Sequence, residues 1–363
     1  MKPKIIFIIN AITAQRCLKR IEEFIANGYE IKAYGFSRSE SRHNSPQNFQ
    51  IEVIGQYDNH LSYIKRVLYM LKALYPIFKR YKNENVIYYY FLLDVAMVSR
   101  VLCRSTYIYE ESDMMQALLH NKFLHAFLDF IDRLIIKHSL ITVMTSEGFA
   151  AYHYGRQYPN NIIFIPNRLN KKILQLSYTP TPVNVNHLRF AFVGATRSYD
   201  LANFIQIIGN HFPQHEFHIY GVIEDNTQLF HELVDTYNNV YYHGVYANPQ
   251  DLPRIYQNID ILVATYGTQD ANVRFLEPNK LYDAAYFQKP IIVSEGTFTS
   301  DKVRKWGIGF SINALDSKSV ISFLQSITLE DIHNCIQHCQ SLEKSALIDE
   351  NSELFNRLST LIS

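Results

Sequence analysis

A chain of 363 residues, 47% hydrophobic and 19% charged, is too long for one ordinary core, so two domains of roughly 150–200 residues are expected. Cys17, Cys103, Cys335 and Cys339 are too few for a disulfide framework and fit a reducing cytoplasm, and no stretch reaches the roughly 18–20 uninterrupted apolar residues of a membrane span. The net charge of +1 hides an asymmetry: residues 1–183 carry 23 Lys and Arg against 14 Asp and Glu, and residues 184–363 carry 12 against 20. Three readings follow for the basic half: an anionic membrane surface, nucleic acid, or charge that merely offsets between domains.

Along the chain, short apolar runs alternate with helical patterns, the signature of parallel α/β sheets. The run after Met1 reads as a buried first strand, Lys4–Ile9, rather than a signal peptide, because it is short and Asn10 interrupts it. Further strands are expected at Glu30–Tyr34, Ile51–Ile54, Val86–Tyr90, Tyr107–Glu110, Leu140–Met144 and Ile162–Ile165. Between them, residues 61–82 interleave Lys65, Arg66, Lys72, Lys79, Arg80 and Lys82 with Tyr and Phe, and Pro76 should kink or divide the helix. Such a segment suits an interfacial helix on anionic headgroups, or a core-packed helix with a solvated basic face; no nucleic-acid recognition motif accompanies it.

A Thr- and Pro-rich break at 178–186 reads as a linker, and the pattern then restarts. The second set of strands is Leu188–Val193, Glu216–Tyr220, Val240–Tyr242, Ile259–Ala264 and Pro290–Val293. Near-continuous apolar strands imply doubly wound sheets, whose ligands bind beyond the strands' carboxyl ends. The domains are placed at 1–178 and 187–343, with a C-terminal helix over 344–363 expected to pack back on the first domain.

No G-x-G-x-x-G follows the first strand, no Walker P-loop is present, and no D-x-D pair occurs. The first two absences argue against a dinucleotide fold at the N-terminus and remove P-loop chemistry, and the third removes one way of holding a diphosphate through a metal, so no essential metal is expected. The segment Ile259 to Glu295 is the richest in chemistry. A buried strand leads into a polar loop and then a helix opening near Glu277-Pro278. Pro suits a helix start, and the free N–H groups there form an anion site. Lys280 adds a full charge, Asn279 adds amide donors, and Asp283 is placed to accept from a ribose diol. The bland alternative is an α/β unit whose Lys and Asp are solvated.

PNKLYDAAYFQKPIIV, residues 278–293, resembles the donor signature of retaining GT-B glycosyltransferases of glycosyltransferase family 4. FVGATR (192–197), HIYG, YYHGVY, IDILVA and TSEGFA stand in the order that resemblance implies. It implies an α/β GT-B fold of two Rossmann-like, doubly wound parallel-sheet domains facing a central cleft. It also implies a nucleotide-diphosphate sugar as donor, with the helix at 278 gripping nucleotide and diphosphate. Departures are Phe275 where the family has its first acid, Glu277 six rather than eight residues before Asp283, Gln288 for the usual Gly, and no glycine-rich loop after the first strand.

Other candidates each admit a functional and a bland role. Arg197, three residues past Gly194, can clamp a diphosphate or pair with Asp200. Tyr246 can stack on the base or simply pack. Glu110, Glu111 and Asp113 crowd one strand end, where Asp113 is the acceptor-side contact or base, or a helix cap. His120 is expected to be structural, as is Ser146, a helix cap rather than a nucleophile. His333, Cys335, His338 and Cys339 share one helix, but no second pair supports zinc.

Together these readings make the chain a sugar transferase acting from an NDP-sugar on a glycan or lipid-linked acceptor, with surface-polysaccharide synthesis implied by the resemblance. It would work in the cytoplasm, with 61–82 against the inner face of the membrane. Alternatives are a nucleotide-sugar 2-epimerase of the same fold and a glycan-binding relative without turnover.

Overall fold

The computed structural model describes residues 2–38, 49–57, 63–118, 121–196, 198–224 and 228–362. The chain forms two compact units, one of residues 1–165 with 350–363, the other of residues 166–349.

In the first unit seven strands alternate with helices: β1 (Lys4–Ile9), α1 (Gln15–Ala26), β2 (Ile31–Arg38), β3 (Ile51–Tyr57), α2 (Tyr63–Arg80), β4 (Val86–Phe91), α3 (Leu93–Leu102), β5 (Tyr107–Glu111), α4 (Lys122–His138), β6 (Ile141–Met144), α5 (Glu147–Tyr154) and β7 (Ile162–Phe164). The sheet runs β3-β2-β1-β4-β5-β6-β7, every pairing parallel. The apolar run after Met1 is therefore a central strand, and Ile5 to Ile9 are fully buried. Burial on both faces explains why β1 and β4 read as unbroken apolar runs instead of alternating. Helix α2 runs through Pro76 as one helix, where the sequence led us to expect a kink or division. Tolerance fits the proline's exposed position, flanked by buried Leu74, Ile77 and Phe78 on the inner face.

The second unit holds β8 (Arg189–Val193), α6 (Tyr199–His211), β9 (Glu216–Tyr220), α7 (Gln228–Thr236), β10 (Val240–Tyr242), α8 (Leu252–Gln257), β11 (Ile261–Ala264), α9 (Ala271–Phe275), α10 (Asn279–Tyr286), β12 (Ile291–Ser294), α11 (Phe298–Trp306), β13 (Gly309–Ile312), α12 (Ser317–Ser326), α13 (Leu329–Ser341) and α14 (Lys344–Leu347). Its parallel sheet runs β10-β9-β8-β11-β12-β13. The Pro-rich stretch 178–186 lies wholly within this unit: Val183 and Val185 pack on its core, and the Tyr178 hydroxyl donates to the Phe287 carbonyl at 2.8 Å. The chain then returns to the first unit, where α15 (Ser352–Ile362) buries Leu354, Phe355 and Leu358 against the β1–α1 core.

Each expected strand forms, with ends moved by a few residues, and β13 is an addition. In both sheets the strand order reverses at one place, next to β1/β4 and next to β8/β11. Those reversals open crevices at the carboxyl ends of the strands.

Candidate functional site

The carboxyl ends of β8 and β9 are finished by glycines in backbone conformations that other residues rarely adopt, and at Gly221 a side chain would also clash. Gly194 and Gly221 have φ of +153° and +126°, and a Cβ on Gly221 would stand 2.0 Å from the Gly194 carbonyl oxygen. The Gly194 amide donates to the Tyr220 carbonyl and the Gly221 amide to that of Gly244, both at 2.7 Å. The result is a bare backbone floor beside the β8/β11 reversal, over which a side chain or ligand can lie close.

Lys280 uses that space. A Cβ on Gly194 would come within 3.6 Å of Lys280 Cε. Lys280 stands in the first turn of α10, whose N-cap is Pro278 with no side chain capping it. The proline is thus the cap residue itself, one position before the first helical turn. Lys280 is buried, and its Nζ donates to Asp283 Oδ2 at 3.1 Å. Tyr256 donates to the same oxygen at 3.0 Å. Burial alone would lower the lysine's pKa, but Asp283, with Tyr246 and Tyr266 beyond it, drives it above the ordinary value. Lys280 is thus favoured in its charged form, with Tyr246 in its neighbourhood. Asp283 faces inward on Lys280 and Tyr256, and Asn279 opens the helix half-buried.

Glu277 faces a different way. Buried just before α10, its Oε1 accepts from Tyr282 and, at 2.6 Å, from Lys302 of α11. Lys302 also lies 5.1 Å from the Trp306 ring centre. These partners sit on other turns and helices, and nothing in the local sequence signals them.

The second unit also holds a cavity of about 350 Å³ lined by Asp200, Thr268, Arg274, Ser294, Glu295 and Asn313. It gathers groups from the ends of β12 and β13 and the start of α6. Ser294 donates to the Tyr266 carbonyl at 2.7 Å and lies 3.4 Å from Asp200 Oδ2. Burial raises the Asp200 carboxyl above its ordinary range, with the Ser294 hydroxyl opposing. Sequence reasoning gave these residues no role beyond Asp200 as a partner for Arg197, because they converge only through the sheet. Arg197 and His120 both lie outside the described residues.

In the first unit the three acids after Tyr109 separate. Strand alternation sends Glu110 and Glu111 to opposite faces, so they do not crowd one another as expected. Glu110 pairs with Arg16 and, at 3.0 Å, with Arg20, and accepts from Tyr89. Burial would raise its pKa, yet the two arginines hold it down at about 2. Glu111 meets His153 of α5. Asp113 alone reaches solvent. One strand earlier, Leu92 is held at φ 66°, ψ 159°, a conformation nearly reserved for glycine, at the carboxyl end of β4 beside the β1/β4 reversal.

Ser146 caps α5, accepting from the Gly148 amide at 3.0 Å. On α13 the cysteines point inward while His333 and His338 are exposed, so the four do not converge.

The architecture is that of a two-domain α/β protein of the GT-B type, each sheet parallel and flanked by helices. Sucrose-phosphate synthase of Thermosynechococcus elongatus superimposes with a TM-score of 0.70 at 13% identity, over 99% of each chain. Anabaena HepE, described in complex with UDP and glucose, gives 0.66 at 13% identity over 99% of this chain and 100% of its own. The lipopolysaccharide outer core galactosyltransferase WaaB gives 0.63 at 14% identity over 99% of both. No protein-family model and no curated protein sequence matches the chain.

Proposed function

We propose that the protein transfers a sugar from a nucleoside diphosphate sugar to a glycan or lipid-linked acceptor. The observation that carries this reading is the buried, charged Lys280 at the uncapped start of α10, beside the glycine floor of β8 and β9. Free N–H groups, a helix dipole and a fixed cation in one place suit a diphosphate in the ground state and the extra charge it gains on leaving. Asp283, itself held by Tyr256, keeps the ammonium in position, Asn279 offers amide donors, and Tyr246 flanks the nucleotide. Glu277 stiffens the helix start from below. Arg197, at the end of the FVGATR run, is the second clamp on the diphosphate.

The HepE structures hold UDP and UDP-glucose, which makes a uridine nucleotide the first donor to try. Retention of configuration rests on the likeness of residues 278–293 to the family 4 signature. Asp113, exposed after β5, is the acceptor-side contact or base.

The acceptor's lipid would bring the enzyme to an anionic membrane. Helix α2 exposes Leu68 and Tyr75 among Lys65, Lys72, Lys79 and Arg80, and α4 carries a longer exposed row of Phe123, Phe127, Phe130 and Leu134. Among the described residues no helix is long and apolar enough to cross a membrane.

A thermal-shift screen against UDP, GDP, CDP, ADP and inorganic phosphate tests the donor site. A ligand at 100 times its Kd stabilises by about 2.7 kcal/mol. One diphosphate raising the melting temperature supports the reading; no response to any of them overturns it. Product analysis with the matching sugar nucleotide then separates transfer from 2-epimerisation and from binding without turnover.

A further inference from the structure

The first unit encloses a second group of reactive side chains that sugar transfer does not use. Glu111 ends β5, Asp132 lies on α4 and His153 on α5; all three are buried, and their ligand-capable atoms lie within 4.8 Å of one another. His153 Nε2 is 2.9 Å from Glu111 Oε1 and 3.8 Å from Asp132 Oδ2. Its other ring nitrogen, Nδ1, faces Asp129 Oδ1 at 3.5 Å. A carboxylate behind one nitrogen, with the other aimed at two carboxylates, is the arrangement by which proteins orient a metal-binding imidazole.

Several buried polar atoms around the cluster are left without a partner, the Tyr109 hydroxyl among them. Gln116, fully buried on the short 3-10 turn Met115–Leu118, donates Nε2 to Asp132 Oδ2 at 2.9 Å, which fixes its amide. That leaves Gln116 Oε1 without a hydrogen-bond partner, like Glu111 Oε2 and Asp132 Oδ1. Three buried acceptor oxygens without donors each cost free energy. As metal ligands, a neutral imidazole and two carboxylates would carry −2, which one divalent cation cancels.

We propose that Glu111, Asp132 and His153 Nε2 bind one divalent first-row cation, with Gln116 Oε1 as the fourth candidate ligand. The donor set, one imidazole and two carboxylates with an amide oxygen and no thiolate, suits Zn²⁺ or Mn²⁺. The ion joins β5, α4, α5 and the turn at Met115, and so braces the loop that carries Asp113. Its role is structural, and it is independent of the donor site in the second unit.

The test is metal analysis of purified, tag-free protein, followed by unfolding in chelator and refolding with Zn²⁺, Mn²⁺, Mg²⁺ or no metal. The expected result is about one tightly held ion per chain and a melting temperature several degrees higher with the right metal. Asp132→Asn and His153→Gln should fold by circular dichroism yet retain less than about a tenth of the metal, while Cys335→Ser retains all of it. A Co²⁺-loaded sample should lack a thiolate charge-transfer band. Wild-type protein that refolds without metal to the same melting temperature overturns the proposal, as does full occupancy in Asp132→Asn. If neither variant folds, the metal content and metal-dependent melting of the wild type decide.

Discussion

Lys280 Nζ and Asp283 Oδ2 lie 3.1 Å apart across one turn of α10, both groups buried. Removing either partner leaves an uncompensated charge inside the domain, at a cost of about 3–5 kcal/mol. Lys280→Ala should therefore lower stability and abolish the response to a nucleoside diphosphate, two effects a single variant cannot separate. Lys280→Met with Asp283→Asn removes both charges and keeps the volume, and the Asn oxygen still accepts from Tyr256. We expect the pair to recover most of the lost stability while diphosphate affinity stays at least about 100-fold down, consistent with a lost charge-assisted contact. Calorimetric titration with the nucleotide found in the thermal screen reads this directly. Normal affinity in the double variant would remove Lys280 from the donor site.

Gln288 marks a strain of another kind. It follows the end of α10 with φ at 54°, and its Oε1 accepts from Gln340 at 3.1 Å. The left-handed backbone there favours glycine, the residue the resembling family has at this position. Gln288→Gly should raise stability by about 0.5–1 kcal/mol, the relief of strain exceeding the loss of one exposed hydrogen bond. Denaturant unfolding should show the midpoint rise with an unchanged slope; a fall would mean the Gln340 contact outweighs the strain.

Why some of this was legible and some was not has a physical cause. Parallel strands covered on both faces leave long apolar runs, so β1, β4, β8 and β11 announce themselves. Strand β13, Gly309–Ile312, does not: it is short, interrupted by Ser311, and opened by a glycine whose Cβ would stand 1.9 Å from the Ile291 carbonyl. Lys280 was readable because a helix start and a lysine adjoin in sequence. The Asp283 partner Tyr256 and the Glu277 partner Lys302 come from other helices and leave no local trace. Glu110 and Glu111 mislead in the opposite sense: adjacent in sequence, they read as one crowded site, but pleating sends one to Arg16 and Arg20 and the other to His153.

Helix α4 shows an inverted surface. Leu128, Ile135 and Ile136 pack inward, while Phe123, Phe127, Phe130 and Leu134 stand out, with Phe123 90% exposed. Their spacing places all four on one stripe, flanked by exposed Lys122, Arg133 and Lys137. Phe123→Ser with Phe127→Ser and Phe130→Ser should leave the melting temperature within about 2 °C, because little buried area is lost. The same variant should bind vesicles containing phosphatidylglycerol at least about tenfold more weakly in flotation. Wild-type protein that floats equally with pure phosphatidylcholine would assign the contact to apolar insertion alone, and protein that floats with neither would remove the membrane from the function.

Lys289, at the turn into β12, is buried, and desolvation lowers its pKa to about 8 against a partly offsetting attraction from Asp260. Asp260 is already held by Arg189 at 2.7 Å, so the lysine has little to gain from staying charged. In the unfolded chain the same ammonium titrates near its ordinary value of about 10.4. The unfolded state thus binds more protons wherever pH lies between those two values, and stability rises with pH across that window. Below about 8 the folded protein must keep a poorly solvated ammonium, and the penalty is complete. Lys289→Met should therefore be more stable than wild type at pH 7, by about 1–3 kcal/mol. The advantage should shrink as pH climbs from 8 to 10. Urea titrations of both proteins at pH 7, 8.5 and 10 measure it. An advantage that stays constant with pH would mean that packing, not titration, distinguishes the two side chains, and Lys289 would then be an ordinary charged residue whose ammonium reaches water.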